Sequence, residues 1–367
     1  MTTNEQVYAI GINSTAEKLH LIEIPRRIVG PTDVRIQIQY CGICHTDIHH
    51  VRQEFGQTKL PAVPGIFREF YLNRNCLTGM PGHEIVGVVT NVGSEVTKYK
   101  VGETVGVGCL VDSCRTCNEC ARNTEQYCAS GNGAIGTYGY PLEKDPLGFT
   151  QGGYSQAIVV DEHFVLSIPA GLELAAAAPL LCAGITVWSP IQYYGVKAGD
   201  SVAVKFAVAL GATVTVLSRS AAKTDDAHRL GASAILITSD QEAFKAAHGS
   251  FTFIIDTVSA QHDLNALCSL LKPDGTLILV GVSPQPLAIS PFALIAKRVK
   301  IGGSGAGGIK ETQEMLDFCG KHNITCDIEL VSVNQTEQAY ERVLNSDVKF
   351  RFVLDVAGTL NKDAVVE

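Results

Sequence analysis

The chain has 367 residues, with 29 Lys+Arg against 37 Asp+Glu, a formal net charge of −8 and a hydrophobic fraction of 46%. This length fits two domains with buried cores, and the ordinary globular composition excludes a long disordered chain. The acidic balance argues against a nucleic acid as a partner, because DNA and RNA are bound through clustered Lys and Arg side chains.

The sequence offers no candidate membrane span and no signal peptide. The longest apolar stretch, residues 174–188, contains Pro179 and Gly184 and is shorter than the ~20 residues that cross a bilayer. The N-terminus lacks the basic and apolar regions of a leader sequence. We therefore expect a cytoplasmic protein with no membrane partner, in which the 12 cysteines are buried thiols or metal ligands rather than disulfides.

Short β-rich runs separated by Gly, Pro and Asp dominate the first part of the chain, up to roughly residue 170. Residues 34–40 alternate apolar and polar side chains, and residues 85–89 are almost entirely apolar. Such runs predict strands in an antiparallel or barrel-like arrangement.

From about residue 172 to residue 280 the pattern changes to alternating strands and helices. The predicted strands, apolar enough to be buried on both faces, are residues 212–217, 253–256 and 276–280. The predicted helices between them are residues 221–230 and 262–271. This alternation predicts an α/β fold with a doubly wound parallel sheet. Farther along the chain, residues 311–319 predict a helix and residues 350–355 a strand.

Four cysteines lie at metal-binding spacing in one short segment, Cys114-x2-Cys117-x2-Cys120-x7-Cys128. Zn²⁺ accepts four thiolate ligands in a tetrahedron, and a site with four protein ligands has no open position, so such a zinc is structural. Four unrelated buried cysteines are the alternative, but the residues between these cysteines are too polar to be buried together.

Three other places also hold candidate metal ligands. Residues 41–50 combine two cysteines and three histidines with a threonine and an aspartate. His83 and Glu84 precede an apolar run, and Cys182 lies within an apolar segment. Taken alone, these residues leave two interpretations open: a catalytic zinc site with Cys and His ligands, or core and surface side chains with no common role.

Together, the motifs resemble the zinc-dependent medium-chain alcohol dehydrogenases, and within them the cinnamyl-alcohol-dehydrogenase-like aldehyde reductases. The matching segments follow the same order over nearly the whole chain and are residues 42–47, 82–84, the four-cysteine segment, 179–184 and 310–312. The resemblance implies a Rossmann-like nucleotide-binding domain, residues 183–310, and a β-rich GroES-like catalytic zinc domain, residues 1–182 and 311–367. It also implies a homodimer formed through the nucleotide-binding sheet.

The resemblance assigns the metal ligands as well. Cys44, His83 and Cys182 would bind a catalytic zinc, and Glu84 would be the adjacent carboxylate that approaches the metal when water or substrate leaves. Asp47 would orient His83, as the ring of a metal-bound histidine usually requires. The four-cysteine segment would hold a structural zinc, which makes two Zn²⁺ per chain. The fourth position of the catalytic zinc would bind the substrate oxygen and polarise it.

Proton and hydride transfer are assigned by the same resemblance. Thr46 would touch the substrate oxygen and pass its proton towards His49, while His45 would lie close to the cofactor pyrophosphate. Hydride would move between the carbinol carbon of the substrate and a nicotinamide, whose chemistry the protein only positions.

The expected dinucleotide site lacks part of its usual sequence signature. Residues 197–211 contain no G-x-G-x-x-G motif, and the chain is roughly ten residues shorter here than the family pattern. The polar residues after the strand at 212–217, which favour a 2′-phosphate and hence NADP(H) over NAD(H), are Ser218, Arg219, Ser220 and Lys223. An ordinary polar turn is an equally weighted explanation of these four residues.

Residues 66–81 form an insertion, and its last residue begins a second Pro-Gly, residues 81–82, immediately before His83. We interpret this insertion and the missing glycine loop as exon-boundary errors in the coding sequence or as a variant transcript. Sequencing the transcript tests this interpretation, which fails if the only message encodes the insertion and lacks the loop.

The sequence thus predicts a zinc-dependent oxidoreductase that interconverts primary alcohols and aldehydes, aromatic or aliphatic, with NADP(H). Gly136 stands where lignin-pathway relatives tend to carry a bulky aromatic residue, which argues for a broad aldehyde range. The alternative is a catalytically silent zinc-binding member of the fold, because the glycine loop is missing. A polyol dehydrogenase is less favoured, since that branch tends to place a carboxylate at the position of Cys182.

Overall fold

The computed structural model describes residues 4–12, 18–52, 80–131, 133–202, 208–283, 285–345 and 347–366. The chain divides into two compact units, one made of Met1–Ile185 with Gly307–Glu367 and the other of Thr186–Ala306. The insertion at 66–81 is described only at Met80 and Pro81, and residues 203–207, within the stretch that lacks the glycine loop, lie outside the described residues.

Short strands and helices follow one another along the chain. The strands are β1 (Glu5–Gly11), β2 (His20–Arg26), β3 (Asp33–Gly42), β4 (Ile85–Val92), β5 (Thr104–Val107), β6 (Leu110–Asp112), β7 (Ile135–Gly136), β8 (Ala157–Asp161), β9 (Leu166–Ser167), β10 (Ser201–Val202), β11 (Thr213–Ser218), β12 (Ala234–Ile237), β13 (Phe251–Asp256), β14 (Leu271–Leu279), β15 (Lys300–Gly303), β16 (Ile328–Ser332) and β17 (Arg351–Asp355). The α-helices are α1 (His45–Val51), α2 (Asn118–Ala121), α3 (Leu174–Ala177), α4 (Ala183–Tyr193), α5 (Thr224–Arg229), α6 (Gln241–Ala246), α7 (Leu264–Leu270), α8 (Pro291–Ile295), α9 (Ile309–His322), α10 (Thr336–Leu344) and α11 (Val356–Thr359). The 3₁₀ turns are Glu125–Tyr127, Glu162–Phe164, Ala178–Leu181, Ala221–Lys223 and Val333–Gln335.

The first unit is built on a seven-stranded sheet in the order β16-β17-β3-β4-β5-β9, with β8 also paired to β3. Every pairing in it is antiparallel except β16 with β17. In β3, Val34, Ile36 and Ile38 are at most 1% exposed, whereas Gln37 between them is exposed. The alternating residues therefore form a half-buried strand, and the predicted antiparallel arrangement is confirmed.

The second unit contains only parallel strand pairs among its described residues, in the orders β10-β11-β12 and β13-β14-β15. Leu277 and Ile278 of β14 point to opposite faces of the sheet, and both are 0% exposed. Helices follow the strands along the chain, so that the predicted parallel α/β arrangement is confirmed.

Element boundaries differ from the prediction where local capping decides them. The helix predicted at 262–271 begins at Leu264, because Asp263 is its N-cap residue. The Asp263 side chain accepts hydrogen bonds from the backbone N–H groups of Asn265 and Ala266, which have no partner within the helix. The helix predicted at 311–319 extends to His322 and ends where Asn323 adopts a left-handed φ of +50°.

Among the described residues, no single helix is both long enough and apolar enough to cross a membrane. By length and composition alone, one bent pair passes that test, Leu174–Leu181 with Ala183–Tyr193, which meet at 53°.

Candidate metal centres and active site

The four cysteines of the predicted structural site converge in the structure. The sulfur of Cys120 lies 3.8 Å from that of Cys114 and 3.5 Å from that of Cys117, and the sulfurs of Cys117 and Cys128 are 4.0 Å apart. A tetrahedron with Zn–S bonds of about 2.3 Å requires sulfurs about 3.8 Å apart. The donor set and its spacing therefore fit a zinc ion with four thiolate ligands.

Backbone amides around this cluster favour the thiolate form of two of its cysteines. The N–H groups of Thr116 and Cys117 lower the pKa of Cys114 to about 5. The N–H groups of Cys120 and Ala129 also lower the pKa of Cys117. Because a cysteine must lose its proton to bind zinc, these hydrogen bonds favour metal binding by Cys114 and Cys117, whereas burial raises the pKa of Cys120 to about 12.

A second cluster brings together Cys44, His83, Glu84 and Cys182, whose ligand atoms all lie within 4.8 Å of one another. The Cys44 and Cys182 sulfurs are 3.9 Å apart, and Nε2 of His83 is 3.1 Å from the Cys182 sulfur. All four residues belong to the first unit. Two sulfurs and one imidazole nitrogen around a common point, with a carboxylate beside them, form a suitable donor set for zinc that leaves a position open.

Each of these side chains sits at the end of a regular element. Cys44 is the N-cap residue of α1, with an extended backbone, and Glu84 directly precedes β4. Cys182 lies between the 3₁₀ turn Ala178–Leu181 and α4. The packed sheet and helices thus fix the directions of ligands that are far apart in sequence.

Glu84 is 0% exposed, and neither of its carboxylate oxygens has a hydrogen-bond partner among the described residues. Burial raises its pKa to about 8, although the Arg351 guanidinium, with Nη1 3.7 Å from Oε1, acts in the opposite direction. A buried carboxylate without hydrogen bonds is costly unless a cation lies near it. Arg351 supplies one such cation, and the two Glu84 oxygens that have no hydrogen bond within the described part of the chain are the second observation that fits a metal ion at the cluster.

The carboxylate of Asp47, itself 0% exposed, lies against the other side of His83. Its Oδ1 is 3.3 Å from Nδ1 of His83 and accepts a hydrogen bond of 3.1 Å from the Gly82 N–H. Its Oδ2 accepts a hydrogen bond of 2.8 Å from the Cys44 N–H. This geometry matches the expected position of Asp47 as the partner that fixes the His83 ring and leaves Nε2 facing the cluster.

Helix α1 carries the residues assigned to proton transfer and to the pyrophosphate. Thr46 is exposed, and its Oγ1 lies 3.6 Å from the Cys44 sulfur. His45 and His49 are one helical turn apart, with ring centroids separated by 5.2 Å, and His49 is only 5% exposed. The structure thus places Thr46 beside a candidate ligand, with both histidines on the same short helix.

The residues assigned to the 2′-phosphate lie at the carboxyl end of β11 in the second unit. Ser218 Oγ donates a 2.8 Å hydrogen bond to the Ser220 carbonyl and accepts one of 3.3 Å from the Ser220 N–H, which closes a tight turn. Arg219 in that turn is exposed, and Lys223 ends the following 3₁₀ turn. In parallel α/β sheets this end of the strands is the side that binds ligands.

Two residues near the second cluster were not predicted from the sequence. The Cys109 sulfur lies 3.8 Å from the carbonyl of Leu181, the residue before Cys182, and a hydrogen bond with Cys182 lowers the pKa of Cys109. Arg351 comes from β17, far along the chain, and faces Glu84. Cys109 precedes the four-cysteine segment but lies outside its regular spacing, and a single arginine in a strand belongs to no motif. The sequence pattern therefore pointed to neither residue as part of the site.

The family comparisons agree with this geometry. The family model described as "Alcohol dehydrogenase GroES-like domain" matches residues 30–170, and the one described as "Zinc-binding dehydrogenase" matches residues 201–321. The NADP-dependent alcohol dehydrogenase C 1 of Mycolicibacterium smegmatis is 50% identical over 362 residues, which cover 96% of this chain and 98% of that protein.

Solved structures match over a similar length. A cinnamyl alcohol dehydrogenase from Sorghum bicolor has a TM-score of 0.88 at 40% identity and covers 98% of this chain and 100% of its own. The CAD of Helicobacter pylori, complexed with NADP(H), has a TM-score of 0.85 at 36% identity and covers 97% of this chain and 99% of its own. The predicted combination of a Rossmann-like and a GroES-like domain is thereby confirmed. The chain belongs to the zinc-dependent medium-chain alcohol dehydrogenases and is an enzyme of their cinnamyl-alcohol-dehydrogenase-like branch.

Proposed function

We propose that this chain interconverts small primary alcohols and aldehydes with NADP(H), at a catalytic zinc held by Cys44, His83 and Cys182. The observation that carries the proposal is the second cluster: three soft donors around one point and a buried carboxylate, Glu84, without a hydrogen bond among the described residues. Purified chain is expected to oxidise NADPH when an aromatic aldehyde such as cinnamaldehyde is added, which the loss of absorbance at the nicotinamide band measures.

When bound, the zinc supplies Lewis-acid polarisation of the substrate oxygen. The exposed Thr46 hydroxyl binds that oxygen and transfers its proton towards His49, a general acid–base role that suits an imidazole. Asp47 keeps the His83 ring in its ligating orientation, and Glu84 is the adjacent carboxylate that would approach the metal when water or substrate leaves. His45 lies close to the cofactor pyrophosphate in this proposal.

We assign residues 1–182 and 311–367 to the catalytic zinc domain and residues 183–310 to the nucleotide-binding domain. In the latter, Ser218, Arg219, Ser220 and Lys223 bind the 2′-phosphate of NADP(H). The name of the M. smegmatis relative and the bound cofactor of the H. pylori structure support this choice.

Arg219→Ala is expected to raise the KM for NADPH about tenfold and to leave the KM for NADH nearly unchanged, because only NADPH carries the phosphate that the guanidinium binds. Steady-state kinetics with each cofactor measures both values. Arg298→Ala is the matched control, since that arginine is exposed in the same unit and pairs with Asp274 at 2.7 Å. An equal change in both KM values for Arg219→Ala would contradict the assignment.

We further propose two zinc ions per chain, the second of them structural and bound by Cys114, Cys117, Cys120 and Cys128. The convergence of four sulfurs and the amide hydrogen bonds to them support this count. Elemental analysis of the purified chain is expected to give two zinc ions, and a value of one would contradict the assignment of one of the clusters.

The alternative of a catalytically silent member gains no support from the relatives, which are named as dehydrogenases. Titration of NADPH with protein, followed by NADPH fluorescence, distinguishes the enzyme from the silent member. Enhanced fluorescence and turnover support the enzyme, and neither would occur in a silent chain.

For the substrate, Gly136 supports a broad aldehyde range. Comparing the rates with cinnamaldehyde and with aliphatic aldehydes of similar length tests this range.

We propose that the active form is a cytoplasmic homodimer joined through the nucleotide-binding unit. That unit exposes two large apolar side chains of α8, Phe292 at 73% and Ile295 at 72%, and elsewhere Val282 at 58%. Phe292 and Ile295 are three residues apart and so share one face of the helix, and adjacent exposed apolar side chains are typical of an interaction surface.

Phe292→Glu is expected to convert the dimer largely to monomer, because a buried, unpaired carboxylate at an interface costs several kcal/mol. Size-exclusion chromatography with light scattering measures the mass. Val365→Glu, a change at a 64% exposed residue of the other unit, serves as the control and should remain dimeric. A wild-type monomer, or a dimer unaffected by Phe292→Glu, would contradict the proposed interface.

A further inference from the structure

Two tyrosine hydroxyls form a hydrogen-bonded chain that ends at the buried carboxylate of Asp47, beside the second cluster. Tyr154 is 0% exposed and Tyr340, from α10, is 2% exposed. The Tyr340 hydroxyl donates to the Tyr154 hydroxyl at 3.4 Å, and the Tyr154 hydroxyl donates to Oδ2 of Asp47 at 3.3 Å. The three side chains therefore form one chain of hydrogen bonds that ends at Asp47.

Asp47 connects this chain directly to His83. Its Oδ1 is 3.3 Å from Nδ1 of His83 and 3.1 Å from the Gly82 nitrogen, and its Oδ2 accepts from the Cys44 nitrogen at 2.8 Å. The two backbone donors bind one carboxylate oxygen each and tie Asp47 to the segments that carry the ligands. The Tyr154 hydroxyl is a side-chain donor on Oδ2, and it restrains rotation of the carboxylate group about its Cβ–Cγ bond.

Tyr154 itself is fixed by the loop that precedes His83. Its backbone N–H donates to the Pro81 carbonyl at 3.1 Å. Its ring packs on Gly82, where a Cβ atom would lie only 2.7 Å from Cδ1 of the ring, and Gly82 has a φ of +105° that favours glycine. These contacts hold the Tyr154 ring in place, with its hydroxyl 3.3 Å from Asp47 Oδ2.

We infer that Tyr154 is a positioning residue for the catalytic zinc site: supported by Tyr340, it orients Asp47, and through Asp47 it sets the direction of the His83 ring. This inference rests on the proposed role of His83 as a zinc ligand. The partners of a ligating histidine fix its ring orientation, and their loss typically weakens metal binding or activity by about 10- to 100-fold. A tyrosine that only fills the core would act through its ring alone, which phenylalanine retains.

The test compares Tyr154→Phe and Tyr340→Phe with a matched control, Tyr99→Phe. Tyr99 is also buried, in the same unit, and its hydroxyl donates to the Val165 carbonyl at 2.6 Å, away from both clusters. Zinc affinity is measured on the purified full-length variants by competition with a chromogenic chelator. The zinc-binding step that is present in wild type and missing in His83→Ala is assigned to the catalytic site.

We expect Tyr154→Phe to weaken zinc binding at the catalytic site about tenfold and to leave the four-cysteine zinc unchanged. Tyr340→Phe should give a smaller loss at the same site, and Tyr99→Phe none. The absorption bands of the cobalt-substituted protein should shift in Tyr154→Phe and not in Tyr99→Phe, a change that a purely structural role would not produce.

Equal affinities in Tyr154→Phe and wild type would overturn the inference. If Tyr154→Phe does not fold, Tyr340→Phe decides: weaker zinc binding at the catalytic site supports the inference, and wild-type binding overturns it. If His83→Ala keeps both zinc ions, the proposed function fails instead, so that the two failures are distinguishable.

Discussion

His83→Ala is expected to lower kcat/KM for aldehyde reduction by at least about 10³-fold, because the zinc that polarises the substrate oxygen contributes several kcal/mol to the transition state. His83 supplies the nitrogen of the ligand cluster, 3.1 Å from the Cys182 sulfur, and alanine offers no replacement. Steady-state kinetics measures the loss, and elemental analysis should show one zinc fewer per chain.

His322→Ala is the control for this change. His322 is exposed at the end of α9, stacks on Phe318 and lies apart from both clusters in the sequence and in its contacts. It should keep full activity and full zinc content. Activity of His83→Ala within tenfold of wild type would contradict the assignment of His83 as a ligand of the catalytic metal.

Cys120→Ser is expected to remove the structural zinc and to lower the Tm by at least about 10 °C, since structural zinc binding contributes on the order of 10 kcal/mol in small zinc domains. Cys120 is 7% exposed, and its sulfur contacts those of Cys114 and Cys117. Differential scanning calorimetry measures the shift, and elemental analysis measures the zinc.

The effect should extend beyond the four-cysteine segment because Glu125, between two of the ligands, ties it to α9. Glu125 is 1% exposed, its Oε2 accepts a 3.2 Å hydrogen bond from the Ile309 N–H, and its Oε1 lies 3.0 Å from Nε2 of His163. Cys319→Ser, a buried cysteine of α9 outside both clusters, is the control and should keep both zinc ions. An unchanged Tm in Cys120→Ser would contradict a structural role for the four-cysteine segment.

Much of the fold was predictable because the spacing of apolar residues along the sequence indicates which segments form strands and which form helices. The alternation at residues 34–40 predicts a half-buried strand, and β3 extends it by only one or two residues at each end. Strand β14 begins five residues before its predicted start, at Leu271. Its first part contains Pro273 and Gly275, and Asp274 has a φ of +65°, so that these residues have the local signature of a turn.

The metal clusters were predictable to different degrees. Cysteine spacing alone predicts the four-sulfur site, because its ligands lie within one short segment. The second cluster needed a family resemblance, because Cys44, His83 and Cys182 meet only through the sheet of the first unit. Arg351 carries no sequence signal at all, since its position beside Glu84 depends on the pairing of β17 with β3.

The proposed activity is tested most directly by following the hydride itself. Wild-type chain is incubated with cinnamaldehyde and NADPH that carries deuterium at the transferable position, and the alcohol is analysed by mass spectrometry. We expect one deuterium in the alcohol for each NADPH consumed, bonded to the former carbonyl carbon. Binding of NADPH without deuterated alcohol, across aromatic and aliphatic aldehydes, would contradict it.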